Sequence, residues 1–168
     1  MPFPRRRSAR PVQRGDETGA QDASAARVAG IGLLARRDYA AQELAAALAR
    51  KGFAEEVAAQ AVAQLAEERL LNDDRYAENL VRALSRRGQG PARIRQALTA
   101  AGLSQDALAT AFASAPDFHQ LAAEVRRRRF GSSLPTQWPE KAKQMRFLQQ
   151  RGFLPEQISA ALESDLED

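Results

Sequence analysis

Three glycine turns recur at an interval of 50 residues: Lys51-Gly52-Phe53, Ala101-Gly102-Leu103 and Arg151-Gly152-Phe153. Four positions before each glycine stands a leucine: Leu48, Leu98 and Leu148. An apolar residue follows each glycine, and then a helix-start signal: Glu55-Glu56, Ser104 with Asp106, and Pro155-Glu156. New apolar patterns begin there: Val57, Ala61, Val62 and Leu65; Leu108 and Phe112; Ile158 and Leu162. Such a pattern is what a helix stop needs. A glycine just past the helix takes the left-handed conformation, and the next apolar residue folds back onto the leucine. Acidic or capping residues then suit the start of the next helix. Three such stops in phase describe a triplicated helical unit. Composition agrees, because 35 residues are alanine while valine, isoleucine and threonine together supply only 13. Alanine favours helix and β-branched residues favour sheet, so an all-β fold or a parallel α/β sheet is excluded.

The upstream halves repeat as well. Arg36-Arg37-Asp38-Tyr39-Ala40-Ala41-Gln42-Glu43-Leu44 aligns, 50 positions on, with Arg86-Arg87-Gly88-Gln89-Gly90-Pro91-Ala92-Arg93-Ile94. A longer helix precedes each, near 25–37 and 75–87. The third unit departs from this pattern: its first helix, near 117–130, ends in Arg126-Arg127-Arg128-Arg129-Phe130, and a Gly/Ser/Pro-containing loop, 131–139, follows. The expected fold is therefore all-α, with nine helices in three tandem three-helix repeats. The boundaries are 25–70, 71–115 and 116–168, and the repeats stack into an elongated, curved body with a concave face. Residues 1–24, rich in Pro, Arg, Gly and Ser without apolar periodicity, are expected to form a disordered basic tail, with order starting near the capping residue Ser24.

The chain has no cysteine and one histidine, His119. A disulfide framework, a thiolate metal site and His-rich metal clusters are thereby ruled out, and no catalytic constellation is present. No apolar run approaches the roughly 20 residues of a membrane helix, and the basic N-terminus leads into no apolar stretch, so a cytoplasmic, soluble protein without a cofactor is expected. The net charge is +4, but it is segregated. Residues 41–79 carry four basic and eight acidic side chains, whereas 82–130 carry nine arginines against three acids. Such alternation steers partners with complementary patches, although helical proteins also solubilise outer faces this way.

Several linked segments resemble one family. Leu33-Leu34-Ala35-Arg36-Arg37-Asp38-Tyr39, with Glu43-Leu44, Leu48 and Lys51-Gly52-Phe53, resembles the first repeat of the RecX family. Leu70-Leu71-Asn72-Asp73-Asp74-Arg75-Tyr76-Ala77, with Val81-Arg82 and Arg86-Arg87-Gly88-Gln89-Gly90-Pro91, resembles its central repeat. Lys141-Ala142-Lys143, Arg146-Phe147-Leu148 and Arg151-Gly152-Phe153 resemble its C-terminal repeat. The resemblance spans about 27–163. It implies tandem three-helix repeats and a regulator of the RecA recombinase. Such proteins bind RecA as monomer and as filament on single-stranded DNA, lie in the filament groove, and suppress ATP hydrolysis, strand exchange and co-protease activity. Some members also bind DNA.

Candidate contact residues for RecA or DNA are Arg36, Arg37, Arg86, Arg87, Arg93, Arg95, Arg126, Arg127, Lys141, Lys143 and Arg146. Successive helical residues fan out by about 100°, so the run at 126–129 cannot face one surface, and helix C-termini favour cations in any case. The Gly88-Gln89-Gly90-Pro91 turn is first a backbone device, with arginines around it placed to fork onto carboxylates or phosphates. Asp73-Asp74 reads as a helix cap rather than a metal pair. Tyr39, Tyr76, Phe147 and Phe153 read as core, Trp138 as a candidate interface anchor, and His119 as structural or solvent-facing. Gly30-x-Gly32 lacks the preceding strand of a dinucleotide site. Two classes remain: a monomeric protein–protein regulator of RecA, and a helical module gripping single-stranded nucleic acid directly.

Overall fold

The computed structural model describes residues 14–163, with side chains from Asp22 onward. Nine helices run through the described residues: α1 (Arg14–Leu34), α2 (Ala41–Arg50), α3 (Glu55–Glu67), α4 (Asp73–Arg86), α5 (Pro91–Ala100), α6 (Gln105–Ala113), α7 (Phe118–Phe130), α8 (Trp138–Gln150) and α9 (Pro155–Glu163). They form three units of three, each with the first helix packed on the third. No strand is present among these residues.

The expected start at Ser24 is corrected. Helix α1 begins at Arg14, so the part of the basic tail from Arg14 to Ser24 is helical; residues 1–13 lie outside the described residues. The segment lacks apolar periodicity, which removes a packing signal without removing helix propensity. No proline follows Pro11 until Pro91, so the helix propagates back from its packed portion. Among the side chains of α1 described, from Asp22 onward, Ala26 is the first that is buried.

The glycine turns close as the sequence dictates. Phe53, Leu103 and Phe153 donate their backbone N–H groups to the carbonyls of Leu48, Leu98 and Leu148 at 3.2–3.3 Å. Gly52, Gly102 and Gly152 sit at φ of 101°, 78° and 87°. The three leucines are fully buried. Gly88 ends α4 in the same way, with the Gln89 N–H on the Leu84 carbonyl. At the end of α3 the left-handed position is filled by Arg69 (φ 59°), which no glycine in the sequence announces.

Each unit has its own core. Leu44, Leu48 and Leu65 centre the first, Ile94 and Leu98 the second, and Leu148, Phe153 and Leu162 the third. Tyr39, Tyr76 and Phe147 pack partly buried against these cores and Phe153 is buried, in line with their core reading.

The units join at two seams built on one plan. The start of each second helix docks onto the glycine turn of the next unit. At the first seam Gln42 covers Gly102, and Ala40 is buried in the second unit's core. Asp73 accepts the Ala41 N–H at 2.8 Å, and Asn79 donates to Asp38 at 3.1 Å. At the second seam the N–H groups of Gly90 and Ala92 donate to the carbonyls of Arg151 (2.7 Å) and Gly152 (3.0 Å), while Arg93 Nε donates to the Gln150 carbonyl at 3.0 Å. Neither α2 nor α5 has a side-chain cap of its own, so the neighbouring unit satisfies N–H groups at the helix start. Asp73 is therefore a cap, but for the preceding unit's helix. Its own helix α4 is capped by Asn72, which accepts the Arg75 N–H.

Candidate functional site

The candidate cations fall on the C-terminal ends of the first helices and along the second helices. Arg36 and Arg37 follow α1 and are exposed. Arg37 is held by Glu43 at 3.2 Å and by its own stacking over Tyr39, 3.7 Å from the ring centre. Arg86 and Arg87 end α4, exposed, beside Arg128 and Arg129 of α7 and Arg151 after α8. Arg95 lies over Phe112, 5.0 Å from its centre. On α8, Arg146 is exposed, and Lys143 pairs with Glu140 at 3.6 Å and lies 5.7 Å from the centre of Phe130. Lys141 instead borders an apolar groove with Met145, Phe153 and Leu162. The structure thus gathers Arg86 and Arg87 with Arg128, Arg129 and Arg151, which are not among the eleven candidates, rather than joining all eleven on one patch.

Two candidates have structural roles. Arg126 is only 3% exposed, which corrects its assignment to a partner surface. Its Nη1 and Nη2 donate to the carbonyls of Ser133 and Ser132 at 3.1 Å, pinning the loop between α7 and α8. The helix turns this one member of the arginine run inward while Arg127, Arg128 and Arg129 stay exposed. Arg93, though exposed, anchors the second seam through Gln150 and covers Gly152. Substituting Arg126 by alanine removes both loop bonds and a long buried stem. A loss of about 3 kcal/mol is expected in chemical denaturation, and clearly less for Arg126→Met, which keeps the packing without the buried charge.

Beside the cationic cluster, α4 and α7 enclose a groove of about 520 Å³ in which Glu78, Asp117 and Glu124 face Arg82, Arg86 and Arg128. Ser85 lies on its floor, buried, with its Oγ unpartnered. His119 is exposed with Nδ1 3.5 Å from Asp117, and Trp138, the largest exposed apolar side chain, opens α8. The described residues contain no cluster of His, Cys, Asp or Glu able to hold a metal, and no helix among them is long and apolar enough to cross a membrane.

The charges of Arg128, Arg129 and Arg151 were legible, but their convergence was not. Arg151 meets Arg87 across 64 positions of chain, a proximity that only the seam creates.

Three family models match in order: the first three-helix domain of RecX at 26–65, the second at 72–111 and the third at 117–162. The regulatory protein RecX of Halorhodospira halophila is 40% identical over 153 residues, covering 90% of this chain and 94% of the relative. That of Chromohalobacter salexigens is 44% identical over 134 residues, covering 79% and 87%. The crystal structure of RecX from Lactobacillus salivarius superposes with a TM-score of 0.73 at 20% identity, covering 86% of this chain and 96% of that one, which shows the shared fold.

Proposed function

The chain belongs to the RecX family, and from that premise we propose that it restrains the RecA recombinase in the cytoplasm. It binds RecA as monomer and as filament on single-stranded DNA, occupies the filament groove, and lowers ATP hydrolysis, strand exchange and co-protease activity. The observation that carries this reading is the match to regulatory RecX proteins over nearly their whole length, through all three units in order. Regulation needs no catalytic group: a protein that binds one filament state better than another shifts the balance between them. The unit seams suit this task, because rigidly capped joints hold cationic ends at fixed spacing along a partner.

Arg36, Arg37, Arg86, Arg87, Arg127, Lys143 and Arg146, exposed although not gathered on one patch, are the side chains proposed to meet acidic or phosphate groups, with Arg95 and Lys141 as lesser contributors. Direct competition for single-stranded DNA is a second reading, favoured by the cluster of arginines at the second seam. Reversing charge at Arg36 and Arg146 together is expected to raise the concentration needed for half-inhibition of RecA by about tenfold, with an unchanged melting temperature. Full inhibition by that variant would remove both residues from the contact. Arg93 is unsuited to this test because it holds the seam.

A further inference from the structure

The second seam closes on a cleft of about 270 Å³ lined by Arg86, Arg87, Arg128, Arg129 and Arg151, and no carboxylate lines it. Three helix ends from two units bring these cations together. A helix C-terminus favours a cation, which accounts for each arginine singly but not for their convergence on one concavity. One member is fixed in advance. Arg151 Nη1 donates to the carbonyls of Arg87 (3.0 Å) and Gly88 (3.4 Å), and its guanidinium lies over Phe147 at 4.9 Å. Gly88 makes room for it: a Cβ there would stand 3.2 Å from Arg151 Nη1 and 2.9 Å from a Val125 methyl. Arg128 reaches Glu124, outside the cleft, at 3.2 Å.

We propose that this cleft binds a phosphate group, its oxygens shared among guanidiniums of the second and third units. Guanidiniums present planar, paired donors that match phosphate oxygens, and those bonds are charge-assisted. Like charges gathered in one concavity repel until an anion enters, and an anion there ties α4 to α7 and α8. Two sources carry this chemistry: the phosphodiester backbone of single-stranded nucleic acid, and a free polyphosphate anion. The site rests on and deepens the second reading above, direct binding of single-stranded DNA, and does not depend on the recombinase reading, since neither probe below contains a protein partner.

The test is calorimetric titration of the full chain with pyrophosphate and, separately, with a short oligothymidylate, alongside thermal melts. Wild-type chain is expected to bind at least one probe and to melt at a higher temperature in its presence, because a ligand of the folded state stabilises it. Arg86→Gln and Arg129→Gln are each expected to weaken binding about tenfold, while Arg50→Gln, at the far end of α2, leaves it unchanged. Variant-sensitive binding of the oligonucleotide alone assigns the site to a nucleic-acid backbone; variant-sensitive binding of pyrophosphate alone assigns it to a free anion. Equal weakening by all three substitutions would mean diffuse charge attraction and would overturn the site, as would a melting temperature that neither probe raises.

Discussion

Gly152→Val is expected to cost about 4 kcal/mol, the largest loss among the three repeated glycine turns. Two effects combine there. A β-branched residue is strained at φ 87°, and its Cβ would stand 2.6 Å from the backbone nitrogen of Arg93, which cannot swing aside. The sister turns grade the effect. At Gly102 the obstruction is the side chain of Gln42, which can rotate away at the expense of the first seam. At Gly52 the φ is 101° but nothing lies within 4 Å, so only backbone strain remains, about 2 kcal/mol. Chemical denaturation of the three valine variants should rank them Gly152, Gly102, Gly52 from most to least damaging. Equal losses would show that the turns act as isolated helix stops rather than as sockets for the preceding unit.

Leu98→Ala is expected to remove about 3 kcal/mol, since the side chain is fully buried at the centre of the middle core and leaves a cavity. Its position gives a second expectation. The middle unit supports both neighbours, through Ala40 in its core and through the start of α5 on the Gly152 turn. Leu98→Ala should therefore lower one cooperative transition for the whole chain. Leu48→Ala, in a terminal unit joined at a single seam, should instead release that unit first, giving a two-step melt followed by circular dichroism. A single unchanged transition in Leu48→Ala would contradict the separation of the cores.

The features that rest on local chemistry were legible in the chain. A left-handed glycine preceded by leucine and followed by an apolar residue specifies its own turn, so all three stops, the three units and the core leucines could be placed without tertiary information. What depends on distant partners was hidden. Asp73 looked like the cap of its own helix because the Ala41 N–H that it serves lies 32 positions earlier. Arg126 looked like part of a basic surface because the helical phase alone does not say which arginine faces the loop carbonyls. The extra helix from Arg14 was missed because propensity without apolar periodicity gives no packing signal, and Arg69 occupies a left-handed position that glycine usually marks. The candidate site shows the same division: its charges were visible, and their grouping at the second seam required the fold.

The most direct measurement is titration of the chain into RecA on single-stranded DNA while ATP hydrolysis is followed, with binding of the chain to the same DNA alone as the control. Inhibition complete at protein concentrations well below those needed to coat the DNA is the predicted result, and it identifies RecA as the target. Hydrolysis that stays unchanged, or falls only once the DNA is already covered by the chain, would contradict direct regulation of the recombinase.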